Sequence, residues 1–457
     1  MKRLRTAPRV RPRARGGERE RHSRAGAEGE TARSGRRRSR PGRAAAWAAC
    51  LSLASACEAA PQAAPDDLRA AADRVLPRLQ ELAGLEQRAP IAIDVRSREE
   101  LYRFVQNRLA EELPPEEIAG VQATYAALGL LPESLDLEAL LLELYTEQIV
   151  GFYDPARDTL YVVDDVPQEQ LETVLVHELV HALQDQHADL EELVDRALGG
   201  DRQTAAQAAI EGHATLVMVA YTVDAMGADP SALIALPDLA GLLGPALEGS
   251  NFPVLSGAPR IIREALLFPY FGGAGFAQEL WRRAAAGAAT PGTRYPAPLG
   301  ALLPESTEQV RRPGERFFPQ PDAPTELRFD ADPAASWPVL YENTLGELEL
   351  AILLSEWLGE DAANLAHGWD GDRFLTLRAP GGGVALDIAV AWDDAAAAEA
   401  FADAYRRGAG GRAGRTADVS RSRLGDVEIV RVFDAPTGTD ATRRPRPTLR
   451  VEERGRR

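Results

Sequence analysis

"TVLVHELVHALQDQH", residues 173–187, holds three of the chain's six histidines within eleven positions. His177 and His181 are four residues apart, with Glu178 directly after the first. Side chains four apart on a helix share a face, so both imidazoles can be presented to one ion. Zinc suits such a pair, being content with nitrogen and oxygen ligands in tetrahedral geometry. Glu178 sits about 100° round the helix from His177. From there its carboxylate can reach a metal-bound water without ligating the metal, and accept the proton as that water attacks a carbonyl. Val174, Leu175, Val176, Leu179, Val180 and Leu183 flank the pair, which makes this a buried helix. Buried histidines need partners.

Working outward, "YTEQIVGFYDPARDTLYVVDD", residues 145–165, carries two β-branched and aromatic runs joined by the turn residues "DPARD". It is predicted to form a hairpin. Asp165 is then placed to cap the histidine helix, with Pro167 near its first turn and Glu169 and Glu172 close to the positive end of its dipole. A hairpin leading directly into such a helix is the layout expected of a zinc peptidase, whose edge strand can pair with an extended peptide.

A catalytic site needs a third protein ligand and an open fourth position. His187, Glu211 and His213 are the candidates. His187 lies about 240° round the helix from His181, so it faces away, near the helix end. Glu211 and His213 are separated by about 200° on a second helix predicted over 201–223, and cannot both ligate comfortably. Gly212 and Ala214, small residues beside Glu211, would let this helix pack closely against the histidine helix.

"HELVH" followed some thirty residues later by "IEGHA" resembles the gluzincin group of zinc metallopeptidases. In that group the third ligand is a glutamate on the next long helix, and the resemblance implies Glu211. More narrowly, "EQIVGFYDP", "HELVHALQDQH", "EGHAT", "FPYFGGAGF" and "PESTEQVRRP", spread over residues 147–313, are similar to a family of uncharacterised bacterial metallopeptidases, often exported. The sequence departs from the pattern at two places. His213 stands where the family carries an acidic residue, and Thr215 where thermolysin-like chains carry an Asp that orients a histidine ligand, which leaves the supporting groups open. The oxyanion formed during attack needs a donor besides zinc. His213, Tyr153, Tyr221 and Tyr270 are candidates. Tyr270, in "FPYFGG" beside glycines read as flexible, is the first choice.

The N-terminus reads differently from the body. Residues 1–43 carry a local charge of +12, leaving −29 for the remainder of a chain whose net charge is −17. An acidic body excludes nucleic-acid binding there. The basic arm has almost no large apolar residues and cannot build a core. "AAAWAACLSLASAC", residues 44–57, follows at once; it is uncharged and suits the apolar core of an export signal, and is too short to span a bilayer permanently. It ends in a stretch resembling a bacterial lipoprotein cleavage box, with Ala54 where Leu is commonest, so Cys57 is the expected lipidation site. Cys50 and Cys57 are the only cysteines. Cleavage before Cys57 leaves one thiol and no disulfide, so stability must come from packing.

With 457 residues, 45% of them apolar, the chain can hold two or three globular units. Beyond residue 325 the texture changes to "LRFDADP", a helix in "ENTLGELELAILLSEWL", strands in "RFLTLRAP", "GVALDIAVAW" and "DVEIVRVF", and a helix in "AAAAEAFADAYRR". The expected organisation is a basic arm (1–43), a signal core and lipobox (44–57), a tether (58–65), a zincin-like metallopeptidase domain (66–325), an α+β accessory domain (326–435) and a disordered tail (436–457). The fold class is mainly α with a small β-hairpin or sheet in the catalytic part, plus the C-terminal α+β domain. The function expected is zinc-dependent peptide-bond hydrolysis by an exported protein, held by a lipid anchor on the outer face of the bacterial cytoplasmic membrane and acting on a peptide or protein substrate. The competing expectation is a zinc-binding pseudo-peptidase that holds a cell-envelope partner without turnover.

Overall fold

Apolar residues spread round the whole circumference of a helix require enclosure on every side. The computed structural model provides it. It describes residues 48–51 and 65–452, apart from 238, 240, 242–251, 288–293, 331–336 and 441–443. The basic arm, the lipobox with Cys57, and the tether as far as residue 64 lie outside the described residues.

With short helical turns left unnumbered, the chain runs β1 (Ala48–Leu51), α1 (Pro65–Ala83), β2 (Ala92–Arg96), α2 (Arg98–Glu112), α3 (Pro115–Leu128), α4 (Leu137–Gln148), β3 (Ile149–Asp154), β4 (Thr159–Val163) and α5 (Gln168–His187). Two long helices follow, α6 (Gly200–Ala225) and α7 (Arg260–Ala285). The C-terminal part contains β5 (Leu327–Phe329), β6 (Val339–Asn343), α8 (Gly346–Leu358), β7 (Trp369–Arg378), β8 (Val384–Trp392), α9 (Ala395–Gly410), β9 (Arg415–Leu424), β10 (Val427–Pro436) and β11 (Leu449–Val451). The chain is thus mixed helix and strand, with a five-stranded antiparallel sheet near its C-terminus ordered β6-β7-β8-β10-β9.

Every residue from Val174 to Gln184 in α5 is buried. Helix α1 offers α5 an apolar stripe of Leu68, Ala72, Val75, Leu79 and Leu82, the spacing of one helical face. The other cover is a four-stranded sheet ordered β1-β3-β4-β2. The hairpin is present as expected, with Asp158 taking the left-handed turn conformation (φ 49°) that aspartate tolerates. At Gly151 strand β3 lies so close to α5 that a Cβ would come within 2.5 Å of Val174 and 3.6 Å of Glu178. Ala48–Leu51, within the stretch read as the signal core, pairs antiparallel with the outer edge of β3.

Two local expectations are corrected. Asp165 does not cap α5. Pro167 holds the cap position without a side-chain bond, and the Asp165 carboxylate takes both Nε and Nη2 of Arg98 at 3.0 and 2.5 Å. A bidentate ion pair displaced the weaker local cap. The expected disordered tail contains β11, which pairs with β5. Its approach is tied by Asp330 N–H to the Thr448 carbonyl and by Arg431 to the Pro447 carbonyl. A short polar strand of this kind draws on backbone bonds, which composition does not reveal.

Helix α6 begins at two glycines and has no capping side chain of its own. Its first N–H groups donate to β6 and the residue after it. Asn343 Oδ1 accepts from Gly200 N–H at 2.7 Å, and Thr344 Oγ1 accepts from Asp201 N–H at 3.0 Å. The C-terminal sheet also shares a core with the helices before it. Ile118, Leu128, Leu137 and Ile261 pack in one cluster with Leu350, Leu354, Phe401 and Val430.

Gly212 does not face α5 as expected from sequence. It meets α7, where a Cβ on it would fall 1.8 Å from the Gly273 carbonyl carbon. A Cβ on Gly273 would fall 1.8 Å from the Ala208 oxygen. The two backbones touch, and only glycine fits. Gly275, two residues on, has nothing within 4 Å of its missing Cβ. Gly273→Ala should therefore destabilise the protein by at least the roughly 1–3 kcal/mol of core overpacking. Gly275→Ala should stabilise it by about 0.5–1 kcal/mol through helix propensity. Thermal denaturation of the two variants checks the opposite signs.

Candidate metal centre

One turn of α5 separates His177 from His181, and their Nε2 atoms converge to 3.0 Å. Glu211, from α6, brings Oε2 to 3.3 Å from His177 Nε2 and 3.4 Å from His181 Nε2. These three donor atoms form a near-equilateral triangle. Its edges are those of a tetrahedron whose centre lies ~2 Å from each corner, the bond length of zinc to imidazole or carboxylate. Among the described residues, His177, His181 and Glu211 form the one group of this kind able to hold a metal ion. His187 turns away as expected, with its Nε2 near the Glu86 carbonyl at 2.8 Å.

The surroundings fit a cation. His177, Glu178, His181 and Glu211 are between 0 and 4% exposed. Burial alone would push the His181 imidazole down, but the carboxylates of Glu211 and Glu178 raise its pKa to about 9. Burial pushes the His177 imidazole down. Burial would also raise the Glu211 carboxyl, but the two histidines hold it below its ordinary value. Two carboxylates enclosed with two imidazoles thus form a pocket that demands positive charge. His177 Nδ1 has no partner.

Glu178 is set apart from the ligand triangle. It is fully buried, and burial raises its pKa to about 8. Neither carboxylate oxygen has a hydrogen bond of normal geometry, with only a weak approach by the backbone of Tyr153. Strand β3 passes over it at Gly151. A cation held by the neighbouring donors would draw that pKa back down and leave a carboxylate able to accept a proton.

The residues that orient the ligands were not legible from the motif comparison. Gln184 does this for His181. Its Oε1 lies 2.9 Å from His181 Nδ1, and its Nε2 bonds the Ile210 carbonyl and His213 Nδ1, both at 3.0 Å. His213, fully buried and with its pKa pushed down to about 3 by burial, is a neutral anchor for that glutamine. The signal available in the sequence was position, since Gln184 stands three residues after His181 and hence on its face. Thr215, at the place of an orienting aspartate in the related pattern, has a buried hydroxyl without a partner.

Among the candidate oxyanion donors, Tyr153 bonds Asp185 at 3.1 Å and Tyr221 bonds Glu172 at 3.2 Å, both directed elsewhere. Tyr270 lies in the middle of α7, its ring 6.3 Å from that of His177 between centres. Its neighbours Gly272 and Gly273 are helical packing positions, not the flexible flank read from sequence. Tyr270 and Glu211 both reach the wall of a cavity of about 330 Å³. A larger cavity of about 670 Å³, lined by Asp201, Trp369 and Asp372 among others, contains none of the ligands.

With the geometry in hand, comparison with known proteins adds one match. A family model described as a domain of unknown function, DUF8575, covers residues 339–447. That span begins with β6, runs through the five-stranded sheet, and includes none of the metal-site residues. No curated protein and no solved structure matches the chain.

Removing Glu211 leaves two histidines, so Glu211→Ala should lose bound zinc. Gln184→Ala should keep the fold and weaken zinc affinity by roughly 10–100-fold, the usual effect of losing a group that orients a ligand. Competition with a coloured chelator, run on both variants, measures this.

Proposed function

We propose that the protein is a zinc-dependent endopeptidase. The observation that carries this reading is the combination, in one buried pocket, of three convergent donors with a fourth side chain, Glu178, that lies outside the triangle with neither carboxylate oxygen partnered. A structural metal site has no use for such a group, whereas hydrolysis requires it. The resemblance of "HELVH" and "IEGHA" to the gluzincin pattern supports the same reading, and the part that carries them would then be a zincin-like domain.

His177, His181 and Glu211 would hold the ion. A bound zinc lowers the pKa of a coordinated water to about 7 and polarises a carbonyl. Glu178 takes the proton released as water oxygen bonds to the peptide carbonyl carbon, then passes it to the amine nitrogen as the C–N bond breaks. Tyr270, whose ring lies beside that of His177, would donate to the oxyanion. Gln184 and His213 hold the His181 ring still. The outer edge of β3 is where an extended substrate would pair. In the described chain that edge carries Ala48–Leu51. The proposal includes export and lipid attachment at Cys57, on the strength of residues 44–57. No helix among the described residues is long and apolar enough to cross a membrane.

Glu178→Gln separates catalysis from binding. The variant should keep its zinc and its melting temperature while peptide hydrolysis falls by the ~10²–10⁴-fold expected on losing a general base. Digestion of an unbiased peptide library, analysed by mass spectrometry, is the measurement. A zinc-loaded wild-type protein that cleaves nothing would favour the binding-only reading. Equal cleavage by wild type and variant would remove Glu178 from the mechanism.

A further inference from the structure

The cavity that reaches Glu211 and Tyr270 has walls from both halves of the chain. Helices α3, α4 and α7 contribute Val121, Leu144, Ile262 and Leu266, and β6 contributes Tyr341 and Asn343. Its volume of about 330 Å³ falls within the ~300–1,000 Å³ range of ligand sites, which are mostly apolar with a few placed polar groups.

The charged groups of the lining are already paired, and the Gln148 amide, whose Nε2 has no partner, adds a neutral polar group. Arg196 forms an ion pair with Glu117, and Glu211 lies against the two histidines. Asn343 Nδ2 donates to the Tyr341 hydroxyl at 2.5 Å, while its Oδ1 caps α6. A charged side chain entering here would lose its hydration with no opposite charge awaiting it, whereas an apolar one would gain by leaving water.

Tyr341 is a fixed wall. Its side chain presses on α3 where only glycine fits, since a Cβ on Gly120 would come 2.6 Å from Tyr341 Cβ. Thr124 and Thr376, bonded through their hydroxyls at 2.5 Å, join the same helix to the C-terminal sheet one turn further on.

We propose that this cavity is the specificity pocket for a large uncharged apolar side chain adjacent to the bond cleaved, and that the domain of unknown function supplies its far wall through Tyr341. The inference rests on the metallopeptidase reading for the identity of the ligand, a peptide.

The test uses the full chain loaded with zinc and a set of peptide hydroxamates identical except for one side chain: benzyl, isobutyl, methyl, carboxymethyl or aminobutyl. Calorimetry should rank benzyl and isobutyl at least ~10-fold tighter than the methyl and both charged members, given that one methylene in an apolar pocket changes affinity roughly 10–200-fold. Ala265→Phe directs a ring into the cavity from α7, and should shrink the preference for large over small side chains by at least ~10-fold. Tyr341→Ala removes the C-terminal wall and should shrink it similarly. Zinc content and melting temperature establish that each variant is folded. If Tyr341→Ala fails to fold, Ala265→Phe still decides the pocket. Equal or tighter binding of the charged hydroxamates overturns the proposal, as does an unchanged ranking in folded Ala265→Phe. An unchanged ranking in folded Tyr341→Ala overturns the role of the C-terminal wall. The underlying reading is separated by running the peptide-library digestion alongside. The expected hydroxamate ranking with no cleavage supports the pocket and defeats the peptidase. Cleavage without preference for large apolar residues defeats the pocket and supports the peptidase.

Discussion

At Gly212 and Gly273 two helices touch through their backbones, and the geometry of the candidate metal centre follows from that contact. Glu211 immediately precedes Gly212, so the depth to which α6 and α7 nest fixes how far its carboxylate projects towards the histidines of α5. Tyr270 precedes Gly273 by three residues on α7, which brings its ring beside His177 from the other side. A methyl group at either glycine would push the helices apart by more than the tolerance of a coordination sphere, where bond lengths are fixed within ~0.2 Å. The glycines therefore act at the centre without touching it.

Around that contact the centre is built as a buried electrostatic cage. Four ionisable side chains sit almost wholly buried, and each would be costly alone. Three of them neutralise one another. The fourth, Glu178, is held by the rigidity of its surroundings, with α5 buried over eleven consecutive residues and β3 pressed on it at Gly151. Rigidity comes from the apolar cover, and within it one carboxylate is left unpaired. Gln184 couples the two, because the same side chain fixes a ligand ring and bonds the backbone of α6 at Ile210.

What the sequence made legible was local. The four-residue spacing of His177 and His181 needs only a helix to become a site, and the apolar flanks supply one. The β3–β4 hairpin and the strands around "RFLTLR", "GVALDIAVAW" and "DVEIVRVF" stand out because they are buried on at least one face. Strand β9 was missed because it is an edge strand whose residues are largely exposed, so it carries arginines and serines in place of an apolar pattern. Glu342 and Asn343, the end of β6, fall within the helix expected over "ENTLGELELAILLSEWL", since that stretch offers no break before Gly346. The partner of Gly212, the engagement of Asp165 by Arg98, and the bond from Gln184 to His213 are choices between distant segments. Periodicity within one segment cannot report them.

The hydrogen bonds that Asn343 and Thr344 accept from the start of α6 bear on how the chain can be divided. A recognised family spans residues 339–447, and its outline invites treatment as a detachable module. Yet its first strand terminates the helix that carries Glu211. A chain ending before residue 339 would leave that helix opening on bare N–H groups and would strip the cover from Ile118, Leu128 and Ile261. The seam lies inside a shared structural joint, so a change in β6 acts on the opening turn of a helix more than a hundred residues upstream.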